Sequence, residues 1–425
     1  MLTTVLRGMK DILPADSPRW QALEAAARHA ALLRGFREIR TPVLEATALF
    51  ARSAGESSDV VRKEMYTFED KGGRSVSLKP ESTAGTVRAF LEAGLHNGPL
   101  PCKMFYCSAP HFRYEAPQSG RLREHHQFGV ECFGAKEPSA DAELIVMAVE
   151  LLKEFGLKDL SVRINSIGCP SCRPEYQKRL KAFLAERKDI LCKTCQERME
   201  INPLRTLDCK EAGCKAALAD APVLMDCLCE DCREHFEQLK AYLAAAGIDY
   251  VVDSRIVRGL DYYTRTVFEV VTRIHGNDLT VCGGGRYDGL VEEIGGPSIP
   301  GVGFGMGIER VLMLLEDQNA WTLPLQNEAP QVFVACQSGT LRLPSFQLTE
   351  ALRAAGLRAE MDHAGRSLKA QFKYADKLGA PVVAILAEDE WARGVVKLRS
   401  MATREEWEEA PDAIPTSEHL KSILQ

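Results

Sequence analysis

Gly301-Val302-Gly303-Phe304-Gly305-Met306-Gly307-Ile308-Glu309-Arg310 reads as a strand running directly into a helix over 308–317. Alternating glycines leave one strand face without side chains, so a flat group or a neighbouring element can lie on the backbone. Arg310 falls in the first helical turn, where the helix dipole disfavours a cation unless an anion is near. A purine over the glycines and a phosphate at Arg310 satisfy both oddities. Tight strand–helix packing with a solvated arginine is the competing reading. The spacing is not G-x-G-x-x-G, because Met306 and Ile308 stand where a third glycine would fall. A Rossmann dinucleotide site is therefore disfavoured. The chain has no Gly-Lys dipeptide, hence no P-loop, and no H-E-x-x-H or G-x-S-x-G string.

Upstream, residues 103–107 and 127–133 read as two strands joined by a long charged loop, 113–124, and such a loop usually has work to do. Arg113, Arg121 and Arg123 lie at its junctions, and a guanidinium fork suits phosphate. Gln127, Gly129 and Glu131 share one strand face by period two. They could hold a polar, partly cationic ligand; solvated hairpin charges are the plainer reading. Lys79-Pro80-Glu81-Ser82-Thr83 opens a helix over 82–93, with Ser82 or Thr83 as N-cap. Glu81 sits where the dipole favours a carboxylate able to accept from an ammonium group. Arg258-Gly259-Leu260-Asp261-Tyr262-Tyr263 opens another strand with cationic and aromatic residues. The triplet Gly283-Gly284-Gly285 reads as a turn region.

The 425 residues include 45% hydrophobic and 26% charged side chains. That excludes a disordered or collagenous chain. No apolar run approaches the roughly 20 residues of a membrane span, and no signal peptide precedes the first helix. A cytoplasmic protein without membrane contact is expected. Net charge is −6, from 53 basic and 59 acidic residues. This is no obvious nucleic-acid footprint, although a local basic face can bind phosphates regardless.

Nine of the fourteen cysteines fall between 169 and 232. The cytosol disfavours disulfides, and the C-x-x-C and C-x4-C spacings suit zinc held by four thiolates. Cys169, Cys172, Cys192, Cys195, Cys209, Cys214, Cys229 and Cys232 are the candidate ligands of structural Zn2+; reduced, unliganded thiols in a helical insertion are the alternative. Residues 330–425 alternate strand and helix, which predicts a separate α/β domain. There Lys369, Lys373 and Lys377 repeat along one helix face, a solvated stripe or a contact for a nucleic-acid backbone.

Taken in order, these strings resemble histidyl-tRNA synthetases, a family of class II aminoacyl-tRNA synthetases. Arg7-Gly8-Met9-Lys10-Asp11-Ile12-Leu13-Pro14 looks like the family's opening motif. Residues 36–45, with Pro42, are similar to class II motif 1, which implies a homodimer. Phe112 to Glu115 through Gly129 to Glu131 resembles motif 2, and Gly303 to Arg310 motif 3. The 258–263 string resembles a signature of the histidine-specific enzymes.

The resemblance implies an α+β fold: a class II antiparallel-sheet core over 1–325, a Cys-rich helical insertion over 169–240, and an anticodon-binding α/β domain over 330–425. It implies ATP-dependent ligation of L-histidine to tRNA(His) through a histidyl-adenylate, with Mg2+ accompanying ATP and release of AMP and pyrophosphate. Arg113 and Arg258 would flank the α-phosphate, Arg310 would hold the γ-phosphate, and Gly303 and Gly305 would lie near the adenine. Glu81, Thr83, Gln127, Glu131, Tyr262 and Tyr263 would surround histidine. Gln118, Arg121 and Arg123 would meet the tRNA acceptor end, and Lys369 and Lys373 its backbone. Ser82, Gly305 and Ala116 depart from the family's usual Gly, Ala and Arg. A histidine-sensing paralogue, the regulatory subunit of ATP phosphoribosyltransferase, shares this core but typically lacks the tail domain and the intact signature. A zinc-bearing nucleic-acid module would leave the pocket motifs unexplained.

Overall fold

The computed structural model describes residues 3–424 except 56, 57, 59, 119, 202, 210, 257–259 and 275, and omits the side chains of 54, 201, 205 and 208. The chain divides into two compact units, Met1–Leu325 and Gln326–Gln425.

Strands β1 (Arg37–Glu38), β2 (Leu44–Ala46), β3 (Thr67–Glu69), β4 (Ser75–Leu78), β5 (Cys102–Phe112) and β6 (Glu124–Phe133) occupy the first part of unit one. They are followed by β7 (Ser161–Ser166), β8 (Tyr250–Val252), β9 (Thr264–Ile274), β10 (Asn277–Arg286) and β11 (Gly301–Gly307). Eight of these form one sheet in the order β1-β5-β6-β11-β10-β9-β7-β8, antiparallel from β5 through β7. A small sheet, β2-β4-β3, stands apart.

Period two sorts the large sheet's side chains. Phe128, Val130 and Cys132 of β6 and Val302, Phe304 and Met306 of β11 enter the main core. The helices Ser17–Leu33, Pro138–Phe155 and Ile308–Asp317 contribute to that same core. Residues of opposite parity face the other side, where Met104, Phe133, Val267, Tyr262, Tyr263 and Tyr287 cluster with Val87 and Phe90. The second face carries the candidate site residues Tyr262 and Tyr263.

The expected strand over 103–107 continues to Phe112, through a bulge between Tyr106 and Ala109 where Ser108 takes a positive φ of 50°. The Gly283–Gly285 triplet is strand, not turn, and pairs with both β9 and β11. A Cβ on Gly284 would lie 2.2 Å from the Gly303 carbonyl oxygen, so glycine permits close β10–β11 contact there.

The cysteine-rich segment is helical: Arg173–Ala185, Lys193–Ile201, Ala212–Ala217 and Glu230–Ala245. Its last helix places Phe236, Leu239 and Leu243 in the main core. Among the described residues no helix is long and apolar enough to cross a membrane.

Unit two is a five-stranded sheet of β12 (Val332–Cys336), β13 (Ala359–Met361), β14 (Val382–Leu386), β15 (Val396–Ser400) and β16 (Glu406–Glu409). The order is β13-β12-β14-β15-β16, parallel around β12 and antiparallel beyond β14. β12 and β14 are buried on both faces, which explains their unbroken apolar runs. Lys369, Lys373 and Lys377 are exposed on the helix Leu368–Leu378.

Candidate active site

The register between β6 and β11 sets Gly303 opposite Glu131, Gly305 opposite Gly129 and Gly307 opposite Gln127. A Cβ on Gly303 would meet Glu131 Oε2 at 2.1 Å, and one on Gly305 would meet Gln127 Oε1 at 3.2 Å. A Cβ on Gly301 would strike the Tyr287 ring at 2.3 Å. The glycine face is thus filled from Gly301 to Gly305 by Tyr287, just after β10, and by Glu131 and Gln127 of β6. Gly129 follows the same logic, because a Cβ there would lie 2.4 Å from the Tyr106 ring.

Glu131 is 1% exposed. Thr83 donates its hydroxyl to Oε1 at 2.7 Å, Tyr106 donates to the same oxygen at 3.3 Å, and Tyr287 donates to Oε2. Burial pushes its pKa up to about 8; the Tyr287 and Thr83 hydroxyls oppose that shift, and the nearby Glu81 charge adds to it.

Glu81 is also buried. Its carboxylate accepts the backbone N–H of Thr83 at 2.5 Å and of Ala84 at 3.0 Å. Those are orphan donors of the helix Thr83–Glu92. The expected cap therefore comes from Glu81, while the N-cap residue Ser82 makes no side-chain cap bond. Ser82 Oγ instead pairs with Nε2 of the fully buried His111 at 2.7 Å. A glycine there, which the resemblance leads one to expect, could not make that contact. Burial raises the Glu81 pKa, against the two amide bonds.

Tyr262 and Tyr263 are buried, with ring centroids 4.8 Å apart, and Tyr287 lies 5.6 Å from Tyr262. The described residues therefore enclose two buried carboxylates with four tyrosines and a threonine.

The cationic side lies along the 113–123 loop. Arg113 Nε donates to the Pro80 carbonyl at 3.0 Å, beside Glu81. Arg310 donates to the Thr280 carbonyl at 2.6 Å and to that of Gly120 at 3.4 Å. Burial, then the neighbouring Arg121, lowers its pKa, so Arg310 is a desolvated cation that an anion would stabilise. Gln118 and Arg121 form an isolated bridge, and Arg123 stacks on the Tyr114 ring at 4.0 Å. The opening motif packs here too, since Arg123 N–H donates to the Gly8 carbonyl at 2.6 Å. Arg258 lies outside the described residues.

The histidyl-tRNA synthetase family model matches residues 8–311, and an anticodon-binding-domain model matches 331–417. The chain belongs to the histidyl-tRNA synthetase family. It is 55% identical to the histidine–tRNA ligase of Caldanaerobacter subterraneus subsp. tengcongensis, over 97% of this chain and 99% of that one. It is 53% identical to the Thermoanaerobacter pseudethanolicus ligase, over the full length of both. The solved histidyl-tRNA synthetase of S. aureus matches with a TM-score of 0.82 at 36% identity, covering all of each chain.

Within this histidyl-tRNA synthetase fold, three polar residues of the site region escaped the sequence reading. Tyr106 and Tyr287 both reach Glu131. Arg286, fully buried, donates to Asp141, to the Ala135 carbonyl at 2.7 Å and to the Glu137 carbonyl at 3.2 Å, anchoring the chain just before Tyr287. Gly129 was the available signal for Tyr106: a glycine between Gln127 and Glu131 on one face leaves room for a bulky neighbour.

Proposed function

We propose that this chain ligates L-histidine to tRNA(His) in two steps. The histidine carboxylate attacks the α-phosphorus of ATP, and the bond to the β-phosphate oxygen breaks to release pyrophosphate. The terminal ribose hydroxyl of the tRNA then takes the histidyl group from the adenylate, and AMP leaves. The single observation that carries this reading is the pairing of two buried carboxylates, Glu81 and Glu131, on the two sides of Thr83. Such a pair calls for a ligand with two cationic or hydrogen-donating ends, as histidine has.

Glu81 takes the α-ammonium group, and Glu131, oriented by Thr83 and two tyrosines, takes the imidazole. Gln127, Tyr262 and Tyr263 complete the surround. An apolar analogue would leave these groups unpaired, which is the strong form of discrimination. Arg113 stabilises the α-phosphate as negative charge gathers on the pentavalent phosphorus, and Arg258 is the second cation of that step; one such preorganised donor is worth about 2.7–4 kcal/mol of barrier. Arg310 takes the γ-phosphate, and Gly303 and Gly305 lie toward the adenine. At Gly303 the side-chain-free face is shared with Glu131 and Tyr287. Mg2+ would accompany ATP and supply charge that neutralises its phosphates.

Gln118, Arg121 and Arg123 meet the acceptor end of the tRNA, and Lys369 and Lys373 contact its backbone from the anticodon-binding domain. The active form is a cytoplasmic homodimer, and structural Zn2+ belongs to the cysteine-rich insertion. Neither the pocket nor the relatives favour the histidine-sensing alternative. Charging of a tRNA(His) transcript with labelled histidine tests the proposal. Label on tRNA(His), and none on a tRNA for another amino acid, is expected; no label with folded protein would overturn it.

A further inference from the structure

The folded chain sorts eight of the nine insertion cysteines into two groups. Cys169, Cys172, Cys229 and Cys232 form one, and Cys192, Cys195, Cys209 and Cys214 the other; in each, all four sulfurs lie within 4.8 Å of one another. Cys169 Sγ is 3.6 Å from Cys172 Sγ and 3.8 Å from Cys229 Sγ, and Cys192 Sγ is 3.9 Å from Cys209 Sγ. All are free thiols. A tetrahedral zinc ion with Zn–S bonds of about 2.3 Å sets its sulfurs about 3.8 Å apart. Each group also has a backbone donor aimed at a sulfur: Cys229 N–H at Cys172 Sγ and Cys192 N–H at Cys214 Sγ, both 3.1 Å.

The local core is thin. Of its thirteen buried residues, five are cysteines, and the helices Lys193–Ile201 and Ala212–Ala217 are short. A segment of this size with so little apolar burial ordinarily needs a cross-link or a metal.

The first group is also wired to the pocket. Just before Cys169, the Arg265 N–H donates to the Gly168 carbonyl and the Ile167 N–H donates to the Arg265 carbonyl, both at 2.8 Å. Just after Cys172, Arg173 donates through Nη2 to the Tyr263 carbonyl. Fixing the Cys169–Cys172 turn therefore fixes the backbone that presents Tyr262 and Tyr263.

We propose that the insertion holds two nested zinc ions: an inner one on Cys192, Cys195, Cys209 and Cys214, and an outer one on Cys169, Cys172, Cys229 and Cys232 that positions Tyr263 through Arg173. Cys227 is left out of both. The positioning role rests on the reading of Tyr262 and Tyr263 as walls of the histidine site.

The test uses the full chain purified without chelator. Elemental analysis should find two zinc ions per chain, falling to one in Cys192→Ser/Cys195→Ser, to one in Cys169→Ser/Cys172→Ser, and staying at two in Cys227→Ser. Should a double variant fail to fold, cobalt substitution of the wild type decides the ligand sets by the thiolate charge-transfer and tetrahedral d–d bands of two ions in all-sulfur coordination. Arg173→Met should keep both ions and raise the KM for histidine about tenfold, since small misplacements of a binding wall are costly, with the KM for ATP unchanged. One zinc ion or none in the wild type overturns the paired sites. Two ions with an unchanged histidine KM in Arg173→Met overturn the positioning role. If Thr83→Ala also leaves that KM unchanged, the histidine-site reading falls and the positioning role with it, while the metal count still decides the ligand sets.

Discussion

Thr83 donates its hydroxyl to Glu131 Oε1 at 2.7 Å, and its backbone N–H goes to Glu81 at 2.5 Å. One residue at a helix start thus ties together the two buried carboxylates of the pocket. Replacing Thr83 with Ala removes a buried hydrogen bond, worth about 0.5–1.5 kcal/mol. The KM for histidine should rise several-fold, up to about tenfold, 1.4 kcal/mol being a factor of ten. The KM for ATP should hold, and steady-state pyrophosphate exchange reads both.

Glu131 gives the ligand-free protein a pH dependence of definite sign. Its folded pKa, about 8, lies above the unfolded value near 4.5, so the folded state binds the extra proton between the two. The stability it contributes is complete below the unfolded value and is lost as pH rises toward 8, with a slope of at most about 1.4 kcal/mol per pH unit. Urea titrations from pH 5 to 8 should show stability falling with pH, and Glu131→Gln should flatten that component. A slope unchanged in Glu131→Gln would assign it to other groups.

The glycines of β11 should differ in their tolerance of a methyl group. At Gly303 a Cβ meets Glu131 Oε2 at 2.1 Å and the Val130 carbonyl oxygen at 2.5 Å, whereas at Gly305 its nearest contact is the far end of the Gln127 side chain, at 3.2 Å. Gly303→Ala should destabilise by about 1–3 kcal/mol, as overpacking does, and impair adenylate formation. Gly305→Ala should be close to neutral. Thermal melts with exchange assays compare the two, and equal effects would contradict the register argument.

Arg286 and Asp141 are both fully buried, and they pair beside the segment that carries Tyr287. Removing the guanidinium leaves Asp141 as an uncompensated buried charge, with His235 Nε2 3.5 Å away. Arg286→Ala should cost about 3–5 kcal/mol of unfolding free energy. A loss below 1 kcal/mol, roughly a surface-substitution effect, would show that the pair carries little.

In unit two, Lys369→Glu with Lys373→Glu should weaken tRNA binding and lower its salt dependence, because each phosphate contact adds counterion release. Adenylate formation should be untouched. An equal loss in both half-reactions would remove the assignment of these lysines to tRNA.

Much of the candidate site's geometry could be read before folding because its signals are local. Period two put Gln127 and Glu131 on one face, and the register with β11 keeps them there. Glu81 stood just before a helix, and it caps that helix. The missed parts are those that depend on pairing at a distance. Tyr287 reaches Glu131 across two strand boundaries, and the Gly283–Gly285 triplet passes for a turn until β9 and β11 are seen on either side. Spacing identified the eight candidate thiols but not their partition, because Cys172 meets Cys229 only after the helices between them have folded.

The most direct test of the account is histidine-dependent exchange of labelled pyrophosphate into ATP by the wild-type chain, alongside Glu131→Gln and Arg113→Ala. Exchange that requires histidine is predicted for the wild type. It should fall about 100- to 1000-fold in Arg113→Ala, as for loss of a preorganised charge donor, and demand far more histidine in Glu131→Gln. Folded wild-type protein without histidine-dependent exchange would contradict the account, as would an Arg113→Ala variant that exchanges at the wild-type rate.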